Sequence, residues 1–305
     1  MNSSDELPIL LLGLQDSGKT NFILGLDVVL SNLVDADGLV HSELAEDRSY
    51  VRPMRELWLK GEELPRTSGQ MEPQLHQLIV KHPASGKRVS FHIPDQAGES
   101  FSAAFVSRSL SAAFCERLRA AEGLLVFVHA CDNPEHELHG EPLYFEPAAP
   151  EGAPKDTQNQ SSDFDPDCAA KQIKLVDLLQ FVDEAREGCP PLRVSVIVSA
   201  WDLVLNAPPG ARSEMPLDPN LFVGKRWPLL GQFLESNSER FVSRIYGVSA
   251  RGGSGTAEDL DKMLAHTRPA DRVVVVDGEH ESSDITRPVR WVLGLLNSNS
   301  LSNTP

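Results

Sequence analysis

The sequence predicts an α/β fold: a mostly parallel sheet with one antiparallel edge strand and helices on both faces. Three observations carry that expectation. The apolar run Pro8-Ile9-Leu10-Leu11-Leu12 has the length of a buried parallel strand, and Phe22, Ile23, Leu26, Val29, Leu30 and Leu33 then recur at helical spacing. Later apolar strands, Gly123 to Ala130, Leu192 to Asp202 and Arg244 to Arg251, alternate with helical segments, as parallel βα units do. Between them, Gln74 to Lys81 and Arg88 to Ile93 flank the turn Pro83-Ala84-Ser85-Gly86-Lys87, which makes a hairpin and supplies the antiparallel edge. A chain of 305 residues can bury a large core, as one enlarged domain or two.

The segment joining the first strand to the first helix is Gly13-Leu14-Gln15-Asp16-Ser17-Gly18-Lys19-Thr20, which fits Gly-x-x-x-x-Gly-Lys-Ser/Thr, the phosphate-binding loop of nucleoside triphosphatases. Its glycines let backbone N–H groups turn inward around a polyphosphate, and the helix that follows adds partial positive charge. Lys19 would reach the outer phosphates and the Thr20 hydroxyl would ligate Mg²⁺, with Gln15, Asp16, Ser17, Gly18 and Asn21 lining the same cradle. The fold class is therefore narrowed to a P-loop NTPase.

Such a site also needs a metal-facing acid. The hairpin ends at Pro94-Asp95-Gln96-Ala97-Gly98-Glu99, which resembles the Asp-x-x-Gly of small GTPases; that resemblance implies Mg²⁺ held through water by Asp95 and the γ-phosphate touched by the Gly98 N–H. Thr67, in Leu64-Pro65-Arg66-Thr67, is a candidate to cap Mg²⁺ and the γ-phosphate, and equally a surface turn residue. Arg66 beside it reads as an exposed arginine or as an internal arginine finger. Two strand ends can read a base. Ser199-Ala200-Trp201-Asp202 ends one with a carboxylate, whose two oxygens match adjacent donors such as guanine N1 and N2. Ser249-Ala250-Arg251 ends another with a small residue whose N–H can donate. The alternative for Trp201-Asp202 is a strand-end turn with its tryptophan on the core.

Taken in order, Gly13–Thr20, Asp95–Gly98, Ser199–Asp202 and Ser249–Arg251 resemble the motif set of translation-factor-related P-loop GTPases, and most closely the bacterial double-GTPase group associated with prokaryotic conflict systems. The tryptophan beside the specificity aspartate and the run Asp284-Ile285-Thr286-Arg287-Pro288-Val289-Arg290-Trp291-Val292-Leu293 favour that group, and the likeness extends from Leu7 to about Leu296. The resemblance implies a Ras-like sheet, GTP or GDP as ligand with Mg²⁺, and a switch regulated by, or acting on, a protein partner. It also implies catalytic parts at Lys19, Thr67, Gly98 and Glu99. Two departures bear on this. Ala200 stands where a lysine stacks over guanine, and Glu99 stands where Ras-like proteins carry a water-orienting glutamine. A carboxylate facing a γ-phosphate repels it, so unassisted turnover is expected to be slow. Asp16 occupies the position where some relatives use asparagine to hold K⁺; it would ligate that ion or simply shape the turn. The competing class is an ATP-using P-loop enzyme, or a nucleotide-binding scaffold without significant turnover.

The intervening segments are wider than a minimal domain needs. A flexible start at 1–6 is expected, then one GTPase domain at 7–296 with insertions at about 36–66, 132–167 and 203–227, and a disordered tail at 297–305. Glu46 to Gly61 carries Tyr50, Val51, Met54, Leu57 and Trp58 on one helical face, for core packing or for a partner. Phe101, Phe105, Ala112, Phe114 and Leu118 suggest one long helix, Ile173, Val176, Leu179 and Val182 another, and Thr286 with Pro288 the start of a last one. A formal net charge of −16 excludes a surface built for nucleic acid or anionic membrane. No apolar stretch reaches the length of a membrane span, and the polar start does not resemble a signal peptide. Cys115, Cys131, Cys168 and Cys189 are scattered, as in a reduced cytoplasmic protein, and His136 and His139 read as solvated loop residues.

Overall fold

The computed structural model describes residues 6–32, 39–41, 51–62, 64, 78–83, 86–92, 105–132, 169–213, 215–253 and 257–296. Nine strands form one sheet: β1 Glu6–Gly13, β2 Val40–His41, β3 Ile79–Lys81, β4 Arg88–His92, β5 Gly123–His129, β6 Leu192–Ser199, β7 Phe241–Ser249, β8 Val274–Asp277 and β9 His280–Ser282. Their order is β2-β3-β4-β1-β5-β6-β7-β8-β9. The central five, β4-β1-β5-β6-β7, are parallel. The antiparallel edge made by β3 on β4 is present and is extended by β2. A second antiparallel pair, β8 and β9, closes the opposite edge. β1 and β5 are apolar almost throughout because both their faces are covered; Leu124 to Val128 are all buried.

The helices are α1 Lys19–Asn32, α2 Val51–Lys60, α3 Ala112–Ala120, α4 Lys171–Ala185, α5 Asp202–Leu205, α6 Pro219–Arg226, α7 Pro228–Ser236, α8 Ala257–Leu264 and α9 Arg287–Val292. Strand alternation assigns them to faces. Phe127 of β5 meets Phe22 of α1 edge-on at 5.3 Å. Two residue pairs earlier on the same face, Gly123 leaves room for Val292 of α9, which a β-carbon there would approach to 2.7 Å. On the opposite face, Gly247 of β7 makes room for the indole of Trp201, which in turn meets Phe222 of α6 at 5.3 Å. Among the described residues no helix is long and apolar enough to cross a membrane, and Cys115, Cys131 and Cys189 are free thiols.

Two local expectations are corrected. The long helix through Phe101 to Leu118 is interrupted: Arg108 has a left-handed φ of 52°, and α3 starts afresh at Ala112. The causes are visible. The Ser111 hydroxyl caps α3 by accepting from the Phe114 N–H at 3.2 Å, while Arg108 leaves the helical path to pair with Asp177 at 2.5 Å over the Phe181 ring. In α4 the buried stripe is Leu175, Leu178, Leu179 and Val182; Ile173 is 39% exposed and Val176 only half-buried. Those two line a groove with Leu229 and Phe233 of α7. α9 starts after Thr286 with Pro288 in its first turn, as expected, although the Thr286 side chain makes no cap hydrogen bond. Its hydroxyl donates instead to Asp284 at 2.5 Å, and Arg290 also grips Asp284.

The run Asp284 to Leu293 thereby acquires a structural role. Arg287 of α9 and Arg244 of β7 share the buried carboxylate of Asp277, at 2.7 and 2.9 Å. The Ser195 hydroxyl of β6 donates to the Pro288 carbonyl at 2.9 Å. Tyr246 lies fully buried beside this cluster, and burial, aided by Asp277, pushes its phenol far above the ordinary range. The segment locks α9 across the sheet. Residues 46–50, 74–77, Ile93, most of the expected insertion at 132–167 and the tail after Leu296 lie outside the described residues; Leu296 itself is half-buried.

Candidate functional site

β1 ends at Gly13, which pairs with Phe127 of β5. A side chain there would press on the Phe127 carbonyl at 2.9 Å and on Ser17 Oγ at 2.7 Å, so the first loop position is restricted to glycine by close approach. Asp16 turns the chain at a φ of 59° and is exposed with Gln15. Ser17 is buried. Gly18 has a φ of 89°, and a β-carbon on it would lie 2.7 Å from Ser199. Lys19, 9% exposed, begins α1 and curls its ammonium over the loop, donating to the Gly13 carbonyl at 2.9 Å, the Leu14 carbonyl at 2.8 Å and Ser17 Oγ at 3.1 Å. Thr20 and Asn21 are half-buried in the first turn, and Asn21 Oδ1 is buried without a partner among the described residues. A 14-residue helix opening beneath a glycine-bounded turn, with an ammonium over the turn, is an environment suited to an anion.

The second part lies at the ends of β6 and β7, beside this loop. Ser199 closes β6, and its buried hydroxyl has no partner among the described residues while abutting Gly18. Ala200 then adopts a left-handed φ of 53°. That reversal sends Trp201 into the core, fully buried against Gly247, so it supports the turn from beneath. Asp202, 8% exposed, opens α5 and accepts the Ser249 hydroxyl at 2.6 Å. Ser249 in turn accepts the Gly252 N–H at 3.1 Å, which fixes the loop carrying Ala250 and Arg251. Ala250 also meets α1: a β-carbon on Gly25 would sit 3.2 Å from the Ala250 carbonyl and 3.1 Å from Ile285. A held carboxylate beside a buried loop can accept a matched pair of donors. Cys131, at the end of β5, is kept protonated: desolvation raises its thiol, and the Asp132 and Asp202 carboxylates raise it further.

The structure therefore brings Gly13, Ser17, Gly18, Lys19, Ala200, Asp202, Ser249 and Ala250 to one end of the sheet, at the carboxyl ends of β1, β6 and β7. Thr67, Asp95, Gly98 and Glu99 lie outside the described residues, as does Arg66. Among the described residues no group of three His, Cys, Asp or Glu could hold a metal ion. Two features were missed in the sequence: Ser199 as a wall against Gly18, and Ser249 as the group that orients Asp202. The serine positions were readable; their pairing across two strands was not.

A phosphate loop between the first strand and first helix of a mostly parallel sheet defines a P-loop NTPase. The chain matches the model of the Double-GTPase 1 family over residues 10–292 and belongs to that family. No curated protein matches the chain. Among solved structures it is similar to the bacterial selenocysteine-specific elongation factor EF-Sec, with 14% identity, 85% of this chain and 28% of that chain covered, and a TM-score of 0.29. The chain thus spans little more than a quarter of that protein's length.

Proposed function

We propose that this protein is a guanine-nucleotide switch that hydrolyses GTP slowly by itself and is regulated by a protein partner, in the setting of bacterial conflict that its motif set implies. The carrying observation is the buried pair Asp202–Ser249 beside the phosphate loop. Guanine offers two adjacent donors, N1–H and the N2 amino group, that an oriented carboxylate accepts together; adenine offers no such pair. In this reading Gly13 to Asn21 hold the phosphates, Lys19 offsets their charge, and Asp202, Ala250 and the adjoining Ala200 and Arg251 hold the base. Mg²⁺ would be held by oxygen ligands, the Thr20 and Thr67 hydroxyls and, through water, Asp95. Held there, Mg²⁺ would offset charge on the β- and γ-phosphates. The Gly98 N–H would contact the γ-phosphate, next to Glu99.

Slow turnover follows from Glu99 in place of a glutamine and from the lack of an assigned arginine finger. A finger supplied in trans is worth about 10³–10⁵ in rate. Single-turnover GTP hydrolysis by the isolated chain in Na⁺ is expected to be slow, and fast hydrolysis would contradict the switch. The same assay in K⁺ tests Asp16, which is exposed and turned at a φ of 59°. Stimulation by K⁺ that disappears in Asp16→Ala places an ion there; rates equal in the two salts leave Asp16 a turn residue.

A further inference from the structure

The C-terminal end of α2 is gripped by two arginines, Arg272 and Arg251. Arg272 is 3% exposed and ends a short 3₁₀ turn, Pro269–Arg272. Its guanidinium donates to the Trp58 and Leu59 carbonyls, the latter at 3.2 Å, and lies 4.3 Å over the Trp58 ring. No carboxylate among the described residues pairs with it. The negative end of the α2 dipole and the indole face take that place. Arg251 donates to the Glu62 carbonyl at 3.2 Å and to the Gly253 carbonyl at 3.2 Å.

The two arginines meet in the same loop. Gly252 has a φ of 87° and is seated on the Arg272 backbone so closely that a β-carbon would reach its carbonyl at 2.5 Å. Gly61, just after α2, and Gly253 both press on the side chain of Met263, where β-carbons would lie 2.9 and 2.8 Å from it. Ala250 is thus one residue from the link to Glu62, and Glu62 is five residues before Thr67 in the chain. Burial and the neighbouring Arg251 charge pull Arg272 down to about 10, so it stays charged at neutral pH.

We propose that Arg251 and Arg272 are positioning residues that fasten the end of α2 to loop Ser249–Gly253, so that filling the base site moves the end of α2. This rests on the reading of that loop as the base-binding loop. By linkage, whatever grips α2 alters guanine-nucleotide affinity by the same factor. An arginine that merely capped α2 would leave it indifferent to the base.

The test is ¹⁹F NMR of the full chain labelled with 5-fluorotryptophan, with Trp58 assigned through Trp58→Phe. Trp201, next to Asp202, reports the base site, and Trp58 reports the end of α2. GDP with Mg²⁺ is expected to shift both signals, and tripolyphosphate with Mg²⁺, which fills only the phosphate loop, to leave Trp58 in place. In Arg272→Lys, which keeps the charge but gives up the planar grip on the Trp58 and Leu59 carbonyls, saturating GDP should still shift Trp201 and no longer shift Trp58. The coupling is overturned if Trp58 stays still in the wild type while Trp201 moves. A Trp58 response to tripolyphosphate, or a response that survives in Arg272→Lys, overturns it as well. If GDP shifts neither signal, the base-site reading fails first and the coupling with it.

Discussion

Lys19→Ala is expected to abolish measurable nucleotide binding. Lys19 is nearly buried and its ammonium is held over the loop by donating to two carbonyls and the Ser17 hydroxyl oxygen, all neutral acceptors. A polyphosphate arriving at the loop would take over that ammonium through charge-assisted hydrogen bonds, each worth about 1.5–3 kcal/mol. Two such bonds amount to about 3–6 kcal/mol, or roughly a hundred- to ten-thousandfold in Kd. The same substitution removes the hold on the Gly13 and Leu14 carbonyls, so the melting temperature must be measured alongside. A folded Lys19→Ala protein that binds GDP as tightly as the wild type would place the phosphates elsewhere.

The second large effect is expected at the base. Asp202→Asn should weaken GDP binding and favour xanthine nucleotides. Ser249 makes this substitution informative, because its hydroxyl can still donate to the amide oxygen and leave the new NH₂ turned to the site. That amine would face guanine's own amino group but would find an acceptor in the C2 carbonyl of xanthine. One lost and one opposed hydrogen bond in a buried site cost on the order of 2–4 kcal/mol, about thirty- to a thousandfold. Calorimetric titration with GDP and XDP measures it. Unchanged GDP affinity would leave Asp202 as a turn residue held by Ser249.

The motif-bearing parts of the fold were legible because their signals are local. A strand, a glycine-bounded loop and an apolar helix follow one another between Glu6 and Asn32, and the periodicity and glycines that specify them lie within that stretch. The central strands announced themselves as continuous apolar runs for the same reason. What escaped depended on distant neighbours. Ile173 and Val176 fit a helical stripe as well as Leu175 and Leu178 do, and only the packing of α4 decides which pair is covered. The turn at Arg108 is fixed by Asp177, 69 residues away. The second antiparallel edge was the exception. Asp277-Gly278 after a run of valines is a hairpin signal, and it was there to be used. In the candidate site, residue types were readable in order, but the orienting contact between Asp202 and Ser249 crosses from β6 to β7. Neither segment alone specifies it.

The central claim is that the held carboxylate of Asp202 selects guanine. It is tested most directly by titrating the wild-type protein with GDP and with ADP under identical Mg²⁺ and salt. A matched donor pair worth about 2–4 kcal/mol predicts GDP binding tighter by roughly thirty- to a thousandfold. Equal affinities, or a preference for ADP, would contradict it.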